Sequence, residues 1–159
     1  MDDPRNKIIL KRVEHTTVCS HASDLLNIAL FDPEAVSADY VYTLDDDNCM
    51  HHNLLSIIEQ YIETDFDMLI VNCQDYSTNN ITSLSLNCNG HVDTANMVFS
   101  GRALKGLGGY VIKIKAKDMI EDALTCSKFI ELNKKIIYSN QTGAFYNALS
   151  NRRVAVPIV

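Results

Sequence analysis

Three consecutive acidic residues follow an apolar stretch in the first third of the chain. Residues 40–44 read Tyr-Val-Tyr-Thr-Leu, a pattern typical of a β-strand, and Asp45, Asp46 and Asp47 come directly after it. Carboxylates this close repel one another unless a cation lies among them, and their oxygens suit Mg²⁺ or Mn²⁺. In open α/β folds, ligand sites lie where strands of this kind end. The pattern favours a metal site, and the alternative is a solvated acidic turn that only caps the next helix.

Two further segments contain residue types that can bind ligands. His51 and His52 follow the acids and could add a metal ligand, although adjacent histidines at the start of a helix are commonly solvent-facing. Lys105 lies among the glycines of residues 101–108. Because this segment does not join a strand to a helix as phosphate-binding loops do, we interpret it as a flexible turn.

Composition limits the classes of protein to consider. With 159 residues, 47% of them hydrophobic, the chain can form one domain with a proper core. A net charge of -6 and a pI near 5.2 argue against a nucleic-acid partner. No apolar run approaches the ~20 residues of a membrane-spanning helix, and the N-terminus lacks a signal-peptide pattern. We expect a cytoplasmic protein without a transmembrane segment, whose five widely spaced cysteines are reduced thiols rather than zinc ligands.

Strand and helix patterns alternate along the chain without internal repeats. Strands are predicted at residues 7–13, 40–44, 68–71, 97–99, 109–114 and 135–138, with a short half-exposed β element near 81–86. Helices are predicted near residues 25–30, 54–62, 118–132 and 144–149. This order predicts an α/β fold, a single domain over residues 1–159 with a mainly parallel, twisted sheet and an antiparallel addition.

The order of these motifs resembles the GT-A fold of glycosyltransferases of the family-two kind. Residues 27–48 contain a helix that carries Asn27, a turn of small residues, an apolar strand and an Asp-x-Asp motif at 45–47. Residues 121–138 resemble the family's Glu-Asp helix and the apolar strand after it, and residues 91–99 are similar to an acceptor-side strand. The resemblance implies a metal-dependent, inverting transfer of a sugar from a nucleotide-sugar donor to an acceptor hydroxyl.

Each chemical role in such a transfer suits the residue type at the matching position. A divalent cation stabilises the diphosphate that leaves the donor, and a carboxylate must take the proton of the attacking hydroxyl. The resemblance implies these roles: Asp45 and Asp47 hold Mn²⁺ or Mg²⁺, Asp45 and Asp46 contact the donor, Asp122 is the catalytic base, and Glu121 and Asp93 lie on the acceptor side.

Structural explanations compete with these roles. Glu121 and Asp122 near the start of a helix interact favourably with its dipole, and Asp93 is compatible with an ordinary turn. The chain also departs from the family: only one strand and one helix precede Asp45, so a GT-A-like domain abbreviated at its N-terminus is expected, and Leu26 replaces a basic residue.

The expected partners follow from the resemblance and from this departure. They are a nucleotide-sugar donor, a sugar or glycan acceptor, and a partner chain or second copy that supplies what the N-terminus lacks. One alternative is a catalytically silent domain of the same fold that binds a nucleotide sugar or another protein. A Mg²⁺-dependent phosphohydrolase is disfavoured, because Asn48 and Cys49 follow the acids where such enzymes usually continue with Gly-Thr or Gly-Val.

Overall fold

A computed structural model describes residues 22–32, 38–45, 48–82, 93–111 and 121–146. Several predicted features lie outside these residues, namely the strand at 7–13, the acids Asp46 and Asp47, and the side chain of Glu121. The described part forms a single α/β domain, as the alternation of strand and helix patterns predicts.

Six strands form one sheet within the described residues. They are β1 (Tyr40–Tyr42), β2 (Cys49–Met50), β3 (Met68–Asp75), β4 (Ile81–Thr82), β5 (Met97–Ser100) and β6 (Ile136–Tyr146). The strand order is β1-β5-β3-β6-β2, and β4 pairs with β3 outside this path. Among the described pairings only β3 and β6 are parallel.

The sheet is therefore mixed, and the prediction of a mainly parallel sheet is wrong for the described strands. β5 lies between β1 and β3 and is antiparallel to both, so that β1, β3 and β6 share one direction. Direction is not encoded in the alternation of apolar residues, because a strand shows the same pattern in either orientation. The shared direction of β1, β3 and β6 brings their carboxyl ends to the same edge of the sheet.

Four α-helices and two short 3₁₀ turns complete the described part. The helices are α1 (Ala22–Leu30), α2 (Leu54–Tyr61), α3 (Gly101–Gly106) and α4 (Glu121–Glu131), and the 3₁₀ turns are Ile62–Thr64 and Thr94–Asn96. None of the helices in this part of the chain is long and apolar enough to cross a membrane. The predicted helix at 54–62 is confirmed as α2, and its residues Leu54 and Ile57 are buried, whereas Leu55 is exposed.

Residues 101–106 form a helix rather than the predicted flexible turn. Ser100 caps α3 by accepting a hydrogen bond from the backbone N–H of Ala103 at 3.3 Å. Gly101 begins this helix because any Cβ there would overlap the backbone oxygen of Ala38. The predicted strand at 109–114 is wrong for residues 109–111, of which 109 and 110 lie in a bend, and its remaining residues lie outside the described part.

The last strand is longer than the sequence predicts. β6 continues from Ile136 to Tyr146, so the helix predicted at 144–149 is wrong for residues 144–146. Gly143 lies inside this strand, close to the side chains of Val71 and Leu54. Tertiary packing on β3 therefore overrides the helical preference of the local sequence.

Both faces of the sheet are covered by apolar packing. On β3, Met68 and Ile70 contribute to a core cluster that includes Phe99, Phe129 and Leu104. The alternate residues Leu69 and Val71 pack in a second cluster with Leu54, Ile57 and Phe66. Burial of each large apolar side chain stabilises the fold by about 1.5–3 kcal/mol. The most buried strands are β3 and β5, and the half-buried β1 pairs with β5 at one end of the sheet.

Candidate functional site

The strand predicted at residues 40–44 ends earlier, at Tyr42, and Asp45 lies three residues beyond it, beside the 3₁₀ turn that precedes β5. The hydroxyl of Tyr42, the last residue of β1, donates a hydrogen bond to the backbone oxygen of Ala95 at 3.2 Å. Thr94 Oγ1 donates to Asp45 Oδ2 at 3.4 Å. These two bonds join the end of β1 to a segment about fifty residues later in the chain.

Asp93 caps that 3₁₀ turn and also contacts the segment after the acids. Its Oδ1 accepts hydrogen bonds from the backbone N–H of Ala95 at 2.8 Å and from Asn48 Nδ2 at 3.4 Å. The buried Asn96 completes a capping box by accepting from the Asp93 N–H, and its Nδ2 donates to the Val71 oxygen at 2.9 Å. The interpretation of Asp93 as a turn residue is therefore correct, and the turn brings its carboxylate to the candidate site.

Asp45 and Asp93 both affect the pKa of the Tyr42 hydroxyl. Burial is the main reason why the pKa of Tyr42 lies above its ordinary value. Repulsion from Cys73, Asp93 and Asp45 raises that pKa further, because negative charge disfavours the phenolate. The two carboxylates thus create a region of negative potential around the end of β1, which attracts cations.

Asp122, on α4, is close enough to Tyr110 to affect the ionisation of its hydroxyl. It is the second residue of that helix and is half-buried. Burial raises the pKa of Tyr110 to about 12, a hydrogen bond with Thr43 opposes the rise, and the charge of Asp122 adds to it. The Tyr110 hydroxyl and Thr43 Oγ1 form a hydrogen bond with each other. Since Thr43 precedes Asp45 by two residues, Tyr110 connects the surroundings of Asp122 to the end of β1.

Asn27 holds Tyr110 in place from α1. Its Oδ1 accepts a hydrogen bond from the Tyr110 N–H at 2.6 Å, and its Nδ2 donates to the Tyr110 oxygen at 2.9 Å. Gly109 has φ +100°, and a Cβ on it would overlap Asn27 Oδ1. Glycine is therefore required next to Tyr110 by both backbone conformation and close approach.

A cleft of about 360 Å³ lies between α1 and β1 beside the site. Its lining is mainly apolar and includes Leu26, Leu30, Leu44 and Tyr42. Thr43 and Tyr110 also line it, so the cleft reaches the hydrogen bond between the Tyr110 hydroxyl and Thr43 Oγ1. A mostly apolar cleft with a few polar groups at one end is typical of small-molecule binding sites.

Of the two predicted metal ligands, Asp45 and Asp47, the structure describes Asp45. Asp45 offers hard carboxylate oxygens in a negative environment, which fits Mg²⁺ or Mn²⁺. Among the residues that the structure describes, no group of three or more His, Cys, Asp and Glu side chains could hold a metal ion. Asp46 and Asp47 lie outside those residues, so the proposed ligand set stays a prediction.

The adjacent histidines are engaged in packing. His51 and His52 stack with ring centroids 4.1 Å apart, and His51 also packs on Phe145 at 4.9 Å. His51 Nδ1 accepts a hydrogen bond from the Asn53 N–H at 3.2 Å. Burial, and then the neighbouring His52, lower the pKa of His51. The ring of His51 therefore favours its neutral form.

The sequence does not predict which neutral polar residues interact with the acids or lie between them. A hydroxyl or amide becomes informative only when its partner is known, and each of these partners is distant in sequence. The one local signal is position, because Asn48 and Thr94 each directly follow an aspartate and Tyr110 follows a Gly-Gly pair. The set comprises Tyr42, Thr43, Asn48, Thr94 and Tyr110.

Comparison with known proteins assigns no family: no protein-family model matches the chain, and no curated protein matches it significantly. Membership of the GT-A glycosyltransferases therefore stays a prediction.

Proposed function

We propose that this protein is a metal-dependent glycosyltransferase with a GT-A-like fold. It transfers a sugar from a nucleotide-sugar donor to an acceptor hydroxyl in the cytoplasm, with inversion at the anomeric carbon. The observation that supports this most is the electrostatic effect of three acids from separate segments on two tyrosines near β1. Asp45 and Asp93 raise the pKa of Tyr42, and Asp122 raises the pKa of Tyr110, whose hydroxyl is hydrogen-bonded to Thr43.

The donor side of the proposed site begins at Asp45. Together with Asp47 it would hold the divalent cation, and Asp45 and Asp46 would contact the donor. When bound, the cation supplies positive charge against the charge that develops on the leaving diphosphate. The apolar cleft between α1 and β1 supports placing the nucleotide on this side, because it opens directly beside Thr43 and Leu44.

The acceptor side of the proposed site is formed by Asp122. Its carboxylate takes the proton of the acceptor hydroxyl as the hydroxyl oxygen attacks the anomeric carbon. The bond between that carbon and the donor diphosphate breaks in the same step, and the diphosphate leaves with the electron pair. No covalent sugar-enzyme intermediate is required, since the attack occurs opposite the leaving group. Glu121 and Asp93 are assigned to the acceptor side.

Donor binding provides the decisive experiment. We expect calorimetry with UDP-, GDP-, CDP- and dTDP-sugars to detect binding of one class in Mn²⁺ and its loss with a chelator. Asp45→Asn should weaken that binding about tenfold or more, because it removes a charge-assisted contact. Asp122→Asn should keep the binding and abolish transfer. Glu59→Gln, which changes an exposed acid on α2, is the control. Equal donor affinity with and without Mn²⁺ would contradict the proposal.

A catalytically silent domain is the second candidate. In that case the wild-type protein would bind a nucleotide sugar, and neither it nor Asp122→Asn would release free nucleotide in the presence of acceptor. Nucleotide release by the wild type that disappears in Asp122→Asn would exclude the silent domain.

A further inference from the structure

Four aromatic side chains make continuous contact along one part of the surface. His52 stacks on His51, His51 packs on Phe145 at 4.9 Å, and Tyr76 meets Phe145 edge-on at 5.9 Å with an angle of 87° between the rings. His52 is exposed and the other three are half-buried. This set, His51, His52, Tyr76 and Phe145, is called the aromatic row below. It exposes ring surface to solvent in addition to packing β2 on β6.

The aromatic row lies at the sheet edge that carries the carboxylates. Tyr76 follows the end of β3 and Phe145 lies near the end of β6, and both strands share the direction of β1. Cys49 pairs with Phe145 across the β2–β6 ladder, and the preceding Asn48 donates a hydrogen bond to Asp93. Two consecutive residues therefore connect the row to the candidate site.

Polar amides lie next to the rings. Gln74 is the register partner of Phe145 in the β3–β6 pair, and its Nε2 donates to Asn79 Oδ1 at 3.3 Å. A pyranose ring has a face of C–H groups that packs on aromatic rings, and hydroxyls at its rim that bond to amides. Aromatic side chains provide such contact area with little loss of conformational entropy. The neighbourhood of rings and amides therefore suits a saccharide.

Strand order separates this surface from the cleft proposed for the nucleotide. The cleft lies along β1 at one end of the order β1-β5-β3-β6-β2, and the aromatic row lies on β6 and β2 at the other. Asp93 lies between them, beside Asn48 and the turn that leads into β5. A donor on the β1 side and a ligand on the row would thus approach the carboxylates from opposite directions.

We propose that the aromatic row is the acceptor-binding surface and that the acceptor is a neutral saccharide, held by a pyranose ring on Phe145 and Tyr76. This inference rests on the proposed function, because only a transferase needs an acceptor. The competing explanation, that the rings serve only to pack β2 against β6, predicts no affinity for saccharides.

Saccharide binding without donor tests the inference. Saturation-transfer NMR and calorimetry with cellotetraose, chitotetraose and maltotetraose should detect binding of at least one to the wild-type protein. Phe145→Leu and Tyr76→Leu should each weaken that binding about tenfold, the loss expected when a ring contact worth about 1–1.5 kcal/mol is removed. Tyr76→Phe keeps the ring and should retain binding. Leu132→Ala removes a 48% exposed apolar side chain before β6 and should change nothing.

The outcomes separate this inference from the proposed function. If Phe145→Leu fails to fold, Tyr76→Leu against Tyr76→Phe still isolates the ring contact. Saccharide binding that survives both leucine substitutions, or its absence from the wild type while donor binding persists, would overturn the inference alone. Saccharide binding by a wild-type protein that binds no donor in Mn²⁺ would overturn the proposed function and the acceptor role with it.

Discussion

At the scale of single residues, the acids that the sequence emphasises depend on neutral neighbours. Asp45 accepts a hydrogen bond from Thr94, and Asp122 raises the pKa of Tyr110, whose hydroxyl is hydrogen-bonded to Thr43 next to β1. Acidic side chains are conspicuous in a sequence because they carry charge. Hydroxyls are not conspicuous, although here the Thr94 hydroxyl donates a hydrogen bond to Asp45.

The Tyr110 hydroxyl should make stability sensitive to alkaline pH. In the folded protein burial raises its pKa from 10.0 to about 12, whereas the unfolded chain titrates near the ordinary value. Between these values the unfolded state holds fewer protons, so the free energy of unfolding should fall by about 1.4 kcal/mol per pH unit from this group. Below pH 10 its contribution should be constant.

Urea unfolding of wild type and Tyr110→Phe from pH 8 to pH 12 measures this effect. The difference in stability between the two proteins should be flat up to about pH 10 and then shift in favour of the variant, which lacks the ionisable group. Tyr61→Phe, on α2, serves as the control. If the free energy of unfolding changed with pH in the same way for wild type and Tyr110→Phe over the whole range, the raised pKa of Tyr110 would be contradicted.

At the scale of elements, local patterns identify the helix and strands whose periodicity is strong. The apolar spacing at 54–62 predicts α2, and the apolar run at 68–71 predicts the start of β3. Short elements behave differently. α3 depends on the Ser100 cap and on the contact of Gly101 with Ala38, and neither is visible as a periodic pattern in the six residues that form the helix.

Two glycines in α3 should respond in opposite ways to alanine. A Cβ at Gly101 would overlap the backbone oxygen of Ala38, so Gly101→Ala must displace the segment before β1 and should destabilise the protein by about 1–3 kcal/mol. Gly106 has no neighbouring atom within 4 Å of such a Cβ. Gly106→Ala should therefore be neutral or stabilise by up to about 1 kcal/mol, as expected from helix propensity. Equal melting temperatures for both variants would refute this contrast.

At the scale of the whole molecule, the site is assembled from segments far apart in the chain. α1, the end of β1, the 3₁₀ turn before β5 and the start of α4 each contribute one or two groups. Their approach depends on the insertion of β5 between β1 and β3. The mixed sheet therefore brings together groups that the sequence predicts at the edge of a mainly parallel sheet.

Asn27 tests this long-range assembly, because it joins α1 to a residue 83 positions later. Asn27→Ala removes both hydrogen bonds to the Tyr110 backbone, and we expect a loss of about 2–3 kcal/mol in the free energy of unfolding. Asn53→Ala is the matched control, since Asn53 is the N-cap of α2 and its side chain makes no capping bond. It should change stability by no more than about 0.5 kcal/mol. Equal losses in chemical denaturation of the two variants would show that the contact with Tyr110 is not stabilising.

The sequence by itself determines the α/β class, α2, the core of β3 and the identity of the acids, because these follow from local periodicity and side-chain chemistry. Only the tertiary structure decides the direction of β5, the extension of β6 through Tyr146 and the pairing of Asn27 with Tyr110. Those features arise from contacts between segments dozens of residues apart. Residue types and spacing do not encode such contacts, since many partners satisfy the same hydrogen-bonding group equally well.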